Sequence, residues 1–160
     1  MFVLIRAATY AALFIGFFLV FLPDRVLSWS GVVRPAEIGV PQVAGMIGAA
    51  AGLALALWCV LTFALAGRGT PAPFDPPRRL VVRGPYRFVR NPMYVGAGLA
   101  LAGAALFYRS PPLLGYTALF LAITHLFVLW YEEPTLRRLF GDEYVEYCRR
   151  VRRWWPSLGR

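Results

Sequence analysis

Four polar side chains that could bind a charged ligand lie at the start of an apolar stretch in the middle of the chain. Tyr86, Arg90, Asn91 and Tyr94 lie within residues 84–94, whose sequence is Gly-Pro-Tyr-Arg-Phe-Val-Arg-Asn-Pro-Met-Tyr. Pro92 suits the first turn of a helix, where backbone N–H groups are free to meet a ligand. Arg and Tyr at a helix entrance are also ordinary membrane anchors, so the cluster alone leaves both interpretations open.

Two adjacent carboxylates, Glu132 and Glu133, follow the last apolar segment of the chain. At the C-terminal end of a helix they oppose the helix dipole and repel each other, so a compensating cation is expected. A neighbouring Arg could supply that cation, or a cationic ligand could. The alternative is a solvated pair that forms salt bridges with Arg137 or Arg138.

One histidine, His125, lies inside the last apolar segment, seven residues before Glu132 and on nearly the same helix face. The two are separated by about 10 Å at helical rise, which is too far for a direct hydrogen bond. An ionisable residue in such a segment suggests function, but we favour a neutral histidine bonded to another helix. The cysteines, Cys59 and Cys148, lack the close spacing of zinc or redox motifs, so no metal site or disulfide is indicated.

The composition predicts a membrane protein. Of the 160 residues, 59% are hydrophobic and 16% aromatic, and a soluble protein this small could not bury so much apolar surface. The net charge of +9 comes from 17 basic residues, all Arg, which lie between and after the apolar runs. There they can set membrane topology, so we do not expect a nucleic-acid partner.

The apolar segments predict an all-α, polytopic integral membrane protein with about four transmembrane helices. They cover residues 2–22, 43–66, 93–107 and 113–131, and the third is short against the roughly 20 residues of a full span. Residues 23–41 are predicted to form an interfacial loop. The turn at residues 109–112, Arg-Ser-Pro-Pro, makes the last two helices an antiparallel hairpin.

The distribution of arginines predicts the orientation. Residues 67–91 hold six and the tail after Tyr131 holds seven, against three in the other two connections. The positive-inside rule then places both termini and the 67–91 loop in the cytosol, with the protein in the cell (inner) membrane.

Two further patterns concern packing. Residues 48–52, Gly-Ala-Ala-Ala-Gly, have the spacing that lets two helix backbones approach closely, within the bundle or in a homodimer. Residues 135–153 alternate apolar and basic side chains at helical spacing, with an interruption at Gly141. This pattern predicts a C-terminal amphipathic helix along the membrane surface, followed by Trp154 and Trp155 in the headgroup layer.

The two polar motifs, the hairpin between them and the closing Trp-Pro resemble the isoprenylcysteine carboxyl methyltransferase family, which is related to the membrane phospholipid methyltransferases. The second motif reads Glu-Glu-Pro-Thr-Leu-Arg-Arg-Leu-Phe-Gly-Asp-Glu-Tyr-Val-Glu-Tyr. The resemblance covers residues 83–156, nearly half of the chain, and its order and spacing make it fairly specific. It divides the chain into a transmembrane helix pair, residues 1–66, and a methyltransferase-like region, residues 67–160.

The resemblance implies an S-adenosylmethionine cofactor, held between the loop before the third helix and the C-terminal segment. An apolar, lipid-like acceptor would enter from the bilayer. Arg90 and Glu132 would be the catalytic residues. The implied cofactor-binding residues are Tyr86, Asn91, Tyr94, Gly96, Gly98 and Glu133, of which the two glycines match the Gly-Xaa-Gly of the phospholipid enzymes.

One departure from the family pattern concerns Asn91, where the family often has His. Asn can hydrogen-bond a cofactor but cannot titrate, so an acid–base role at this position is unsupported. The alternatives are a phospholipid amine N-methyltransferase, a membrane nicotinamide-dependent reductase and a non-catalytic membrane protein. The double Glu favours a methyl donor, because its sulfonium and ammonium groups suit carboxylate partners.

Overall fold

The computed structural model describes residues 2–33, 35–67 and 79–156, and these residues form helices with no strands. The elements in chain order are α1 (Phe2–Phe14), a π-helical segment (Ile15–Phe21), α2 (Leu22–Trp29), α3 (Val40–Thr62), a second π-helical segment (Phe63–Gly67), a 3-10 turn (Gly84–Arg87), α4 (Pro92–Phe107), α5 (Pro111–Phe127), a third π-helical segment (Val128–Glu132) and α6 (Glu133–Arg150). Part of the predicted cytosolic loop, residues 68–78, lies outside the described residues.

Three helical stretches are long and apolar enough to cross a membrane: Ala8–Trp29, Val40–Ala66 and Pro111–Arg150. The protein is therefore an integral membrane protein, as predicted. A fourth apolar helix, α4, has 16 residues and is about 24 Å long, against a hydrocarbon core of about 30 Å. That α4 also spans the membrane remains a prediction.

The boundary of the first helix differs from the prediction. A loop was expected from Pro23, but the helical path continues to Trp29. Pro23 lies in the first turn of α2, where its missing N–H removes little hydrogen bonding. The π-helical segment before it also relaxes the backbone pattern that a proline ring would otherwise disturb.

Helices α3 and α4 pack backbone to backbone along a seam of small residues. A Cβ added to Gly45 would lie 2.6 Å from the carbonyl oxygen of Gly103, and one added to Gly96 would lie 2.7 Å from that of Gly52. Neither position has room for a side chain. The small residues of α3 therefore serve packing within the bundle.

The α4–α5 hairpin is confirmed, and it closes through a tight helix cap. Arg109 N–H donates to the carbonyl of Leu106 at 3.2 Å, and Ser110 N–H donates to that of Ala105 at 3.0 Å. This pair of bonds is the Schellman motif, in which the residue after the helix adopts a left-handed conformation. Arg109 takes that place with φ of +48°.

Helix α6 is interrupted at Gly141, as predicted, where φ is +51° and ψ is −126°. Beyond this kink Tyr144 and Tyr147 are buried, while the side chains of Arg149 and Arg150 are each 75% exposed. The helix ends at Arg150, and Val151 has an extended backbone. That α6 lies along the membrane surface stays a prediction.

Candidate active site

The polar residues at the entrance of α4 lie in and just after a 3-10 turn and in the first turn of the helix. A 3-10 turn, Gly84–Arg87, leads through Val89 to Asn91, which precedes Pro92 in the first turn of α4. The ring of proline fixes a helical φ and needs no hydrogen-bond partner there, so the chain can turn directly into the helix. This geometry puts Arg90 and Asn91 at the end of α4, and Tyr94 follows within the first turn.

Glu133 lies at the centre of a buried ion cluster with Arg90 and Arg153. Arg153 grips the carboxylate with two bonds, Nε to Oε1 at 2.7 Å and Nη2 to Oε2 at 2.9 Å. Nη1 of Arg90 lies 3.1 Å from Oε1, and the two side chains are 12% and 9% exposed. The cation expected beside the two glutamates is thus supplied by these arginines. Arg138, one of the two partners considered for a solvated pair, instead donates to the carbonyl of Pro134 at 3.4 Å.

A short C-terminal strap, residues 151–154, lies against the entrance of α4. Arg90 N–H donates to the carbonyl of Arg152 at 2.9 Å, and Asn91 Nδ2 donates to that of Arg153 at 3.3 Å. Val89 and Arg152 form an isolated parallel β-bridge. The strap therefore holds the side chain of Arg153 over Glu133.

Glu132 has a different environment from its neighbour. Its side chain is half-buried, and Oε2 accepts a hydrogen bond of 3.3 Å from the hydroxyl of Tyr94. Within the described ranges no cation pairs with it. Of the two carboxylates, Glu132 is the one that remains available to a cationic ligand.

Tyr86 is buried in a cluster with Cys59 and Val81, and its ring meets Phe63 edge-on at 5.0 Å. Its carbonyl accepts a hydrogen bond of 2.8 Å from the hydroxyl of Tyr147. Burial raises the pKa of Tyr86 well above its ordinary value, and the nearby Cys59 and Glu132 add to this. Tyr86 therefore stays neutral and supports the floor of the cluster.

Arg90 has one donor that the protein leaves unused. Its Nη1 donates to Sγ of Cys148 at 2.8 Å in addition to its contact with Glu133. Its Nε is buried without a hydrogen-bond partner in the part of the chain that the structure describes. Buried donors without a partner are uncommon in folded proteins, and this makes Arg90 Nε a candidate donor to a bound oxygen atom.

Gly96 and Gly98 do not face the polar cluster. Gly96 packs on Gly52 of α3, and a Cβ added to Gly98 would lie 2.7 Å from Cδ2 of Leu121 in α5. Helix packing accounts for both glycines. Their implied cofactor contact stays a prediction.

Three contacts in this region were not predicted from the sequence. Cys148 accepts from Arg90, Arg153 binds Glu133, and Trp154 binds His125. The indole Nε1 of Trp154 donates to Nδ1 of His125 at 3.0 Å, so the histidine is bonded to the strap and not to another helix. Arg153 follows Glu133 by 20 residues. No local pattern distinguishes it from the other arginines of the tail.

The arrangement places two groups with opposite charge preference near the entrance of α4. Glu132 offers an acceptor to a cation, and Arg90 Nε offers a donor to an anion, while the Glu133 ion cluster and the strap keep both in place. The hydrogen bond to Glu133 raises the pKa of Arg153 above its ordinary value, so this arginine is always charged. Among the described residues no cluster of side chains could hold a metal ion.

Comparisons with known proteins agree with this chemistry. Residues 40–143 match the model of the phospholipid methyltransferase family. A 69-residue segment is 38% identical to Methanethiol S-methyltransferase 1 of Bradyrhizobium diazoefficiens, over 41% of this chain and 22% of that protein. The chain thus matches less than a quarter of the length of this relative. No solved structure matches.

The family match runs from the start of α3 to beyond the kink of α6. It includes the entrance of α4 and both glutamates, and it leaves out Arg153 and Trp154. It covers well over half of the chain and includes the whole helical hairpin. The chain belongs to the phospholipid methyltransferase family.

Proposed function

We propose that this protein is an S-adenosylmethionine-dependent methyltransferase whose acceptor is a lipid-like molecule dissolved in the membrane. The observation that carries the proposal is the pairing, within a methyltransferase family, of an available carboxylate with an unused guanidinium donor. Glu132 and Arg90 provide these groups at the entrance of α4. S-adenosylmethionine, when bound, supplies a methyl group on a positively charged sulfur.

The residues present fit the charges of this donor molecule. Glu132 would face its cationic groups, and Tyr94 would hold the carboxylate of Glu132 in position. Arg90 Nε would donate a hydrogen bond to the carboxylate of S-adenosylmethionine. Asn91 and Tyr86 would support the bound molecule from the side of the strap. Charge-assisted hydrogen bonds of this kind are about twice as strong as neutral ones.

Methyl transfer asks the protein mainly for alignment. Holding donor and acceptor in line, with water excluded, can supply about 7–11 kcal/mol of the barrier. A carboxylate acceptor needs no base. A protonated amine or thiol must first lose a proton, and we assign that role to Glu132 because Glu133 is already paired with two arginines.

The acceptor class has three candidates. The resemblance to isoprenylcysteine enzymes favours a carboxylate at the end of an apolar chain. The family assignment favours a phospholipid amine, and the name of the matched relative favours a thiol. We place the lipid-like carboxylate first, because the resemblance to the isoprenylcysteine enzymes covers both polar motifs and because a carboxylate needs no base.

Binding of S-adenosylhomocysteine to the purified protein tests the donor. Isothermal titration calorimetry should give saturable binding, and Glu132→Gln should weaken it roughly ten- to hundredfold, the equivalent of a lost charged hydrogen bond of ~1.5–3 kcal/mol. Glu143→Gln, at an exposed position of α6, is the matched control and should bind as the wild type. Saturable binding of a nicotinamide dinucleotide in place of S-adenosylhomocysteine would instead support the reductase alternative.

Radiolabelled S-adenosylmethionine tests the acceptor. The protein would be assayed in lipid vesicles with an isoprenylated cysteine analogue, phosphatidylethanolamine and a short alkanethiol. Label in an alkali-labile ester indicates the carboxylate, and label in the phospholipid or a thioether indicates the other two. Binding of S-adenosylhomocysteine without transfer to any of the three would sink the proposed acceptor classes while leaving the donor site intact.

A further inference from the structure

Arg153 occupies both oxygens of the buried Glu133 carboxylate, and this limits what Arg90 can bond. Nε of Arg153 lies 2.7 Å from Oε1 and its Nη2 lies 2.9 Å from Oε2, the parallel geometry in which a guanidinium binds a carboxylate most strongly. Arg90 contacts only Oε1, through Nη1 at 3.1 Å. Its Nε is buried and has no hydrogen-bond partner in the described part of the chain. Arg153 therefore takes the position on Glu133 that would otherwise be open to Arg90.

Removal of Arg153 would change the bonding of Arg90. The side chain of Glu133 is only 9% exposed, and a buried charge that loses its partner is strongly destabilising. Among the residues that the structure describes, Arg90 is the other arginine in an ion pair with this carboxylate. We expect Arg90 to turn and bond both oxygens, which would engage its unused Nε. Without Arg153, the two site residues would thus occupy each other.

The place of Arg153 depends on the C-terminal strap, which is held at its two ends. The strap backbone accepts hydrogen bonds from Arg90 N–H and from Asn91 Nδ2. Its last residue, Trp154, donates from Nε1 to Nδ1 of His125 at 3.0 Å. Trp154 directly follows Arg153, and consecutive Cα atoms are about 3.8 Å apart. Fixing the indole ring therefore restricts where the guanidinium of Arg153 can lie.

His125 is suited to fasten the strap. It lies in α5, within one of the helical stretches that are long and apolar enough to span a membrane. An ionisable residue is costly in such a stretch and usually has a function. The indole N–H of Trp154 can only donate, so it needs an acceptor opposite it, and neutral imidazole offers one at Nδ1.

We propose that His125 is a positioning residue that holds the strap closed. In the closed state Arg153 occupies Glu133, and Arg90 keeps its Nε free for the carboxylate of S-adenosylmethionine. In the open state Arg90 bonds Glu133 through both oxygens, and the site is blocked by its own residues. This role rests on the proposed function, because it concerns the donor molecule that Arg90 would bind, and it adds a means of regulating the same site.

Two substitutions of nearly equal shape test the role of His125. In His125→Asn the amide oxygen can take the place of Nδ1 and accept from Trp154, whereas His125→Leu has the same branched outline and no acceptor. Leu is less costly than Asn in an apolar environment. A merely structural role in the helix would therefore favour His125→Leu, and the fastening role favours His125→Asn.

Calorimetry with S-adenosylhomocysteine measures the order of the two variants. The Kd should rise about tenfold in His125→Leu, as expected for one lost hydrogen bond, and should stay near the wild-type value in His125→Asn. Tyr116→Phe is the matched control, since it removes a hydrogen bond from α5 to the carbonyl of Phe18 and should bind as the wild type. Equal affinities in His125→Leu and His125→Asn would overturn the proposal.

Nuclear magnetic resonance of the ¹⁵N-labelled protein without ligand tests the two steps separately. The indole N–H signal of Trp154, identified by its loss in Trp154→Phe, should move upfield in His125→Leu and stay near its wild-type position in His125→Asn. The Nε–H signal of Arg90, identified by its loss in Arg90→Lys, should move downfield in His125→Leu, because that proton then bonds Glu133. An unmoved Arg90 signal would overturn the competition between Arg90 and Arg153.

Failure of the proposed function gives a different pattern from failure of the fastening role. If the wild type does not bind S-adenosylhomocysteine but both signals move in His125→Leu, the donor assignment is wrong and the fastening role is supported. If the wild type binds S-adenosylhomocysteine and neither signal moves, the fastening role is wrong and the donor assignment stands.

Discussion

The indole N–H of Trp154 donates a hydrogen bond of 3.0 Å to Nδ1 of His125, and the two rings lie 5.7 Å apart. Because Nδ1 accepts, the ring proton of the neutral histidine is on Nε2. This bond ties the end of the strap to α5. The strap is thus held at two places: by Arg90 and Asn91 at the entrance of α4, and by His125 of α5. Arg153, which bonds Glu133, lies between them.

Trp154→Phe should loosen the strap, because it removes the indole N–H that bonds His125 and part of the ring that packs beside it. We expect a loss of about 0.5–1.5 kcal/mol in the free energy of unfolding, with weaker S-adenosylhomocysteine binding. Thermal unfolding and calorimetry measure the two effects. Trp155→Phe, at a position that is 73% exposed, is the matched control, and equal behaviour of both variants would contradict a fastening role for Trp154.

Arg153→Lys should disturb Glu133, although the charge is kept. Lys cannot reproduce the two parallel bonds of the guanidinium, so a loss of ~1.5–3 kcal/mol in stability is expected. Arg152→Lys is the adjacent control, because only the backbone carbonyl of Arg152 is used. The ion cluster would be unimportant for stability if the two variants unfolded at the same denaturant concentration.

Arg90→Lys should lower methyl transfer strongly and stability only slightly. A Lys ammonium can retain the pair with Glu133 but supplies no equivalent of the unused Nε donor. Turnover with radiolabelled S-adenosylmethionine and thermal unfolding are compared in the same preparation. Arg87→Lys, three residues earlier and exposed, is the control, and turnover in Arg90→Lys equal to the wild type would remove Arg90 from the site.

Gly52→Ala should destabilise the helix pair, because its added Cβ would collide with the backbone of Gly96 and Ala100. Overpacking of this kind costs typically about 1–3 kcal/mol. Gly115→Ala is the opposite case. A Cβ there meets nothing within 4 Å, so we expect a gain of about 0.5–1 kcal/mol from the better helix former. Unfolding in mixed micelles compares the two, and similar effects would argue against the seam.

The orientation in the membrane can be tested by labelling single cysteines. Ser30→Cys should react with an impermeant reagent added outside the cell, and Arg83→Cys should not; both residues are exposed. The background would be Cys59→Ala with Cys148→Ser. Reversed labelling would place the candidate active site on the outer side.

Hydrophobic runs located the helices well, because lipid-facing helices need long apolar sequences. The third run, from Met93, matches α4 except for Pro92 at its start. The end of the first helix was predicted too early, at Leu22, because proline stops helices in most contexts. The π-helical segment before Pro23 has no recognisable sequence pattern, so it could not be predicted. The interruption of α6 was visible because Gly141 is the one residue there that adopts a left-handed backbone easily.

The candidate site could be predicted in part. Arg90, Asn91, Tyr94 and the two glutamates are brought to one end of the bundle, because α4 begins where the α5 path ends. The different environments of Glu132 and Glu133 could not be predicted, since they depend on a strap that folds back from 20 residues away. For Gly96 and Gly98 the sequence could not distinguish a ligand contact from close helix packing, because both need the absence of a side chain.

If α4 spans the membrane and the proposed methyl transfer holds, the shortness of α4 has a consequence for how the two reactants meet. A rod about 24 Å long, tied to the longer α3 along the glycine seam, is about 6 Å too short for an average hydrocarbon layer. The bilayer should thin around it, as it does around other helices with negative hydrophobic mismatch. Pro92 and the charged residues beside it would then lie deeper than the surrounding headgroups. A water-soluble donor molecule would need to descend only a short distance, and the reactive end of a lipid would need to rise little, for the two to come into contact.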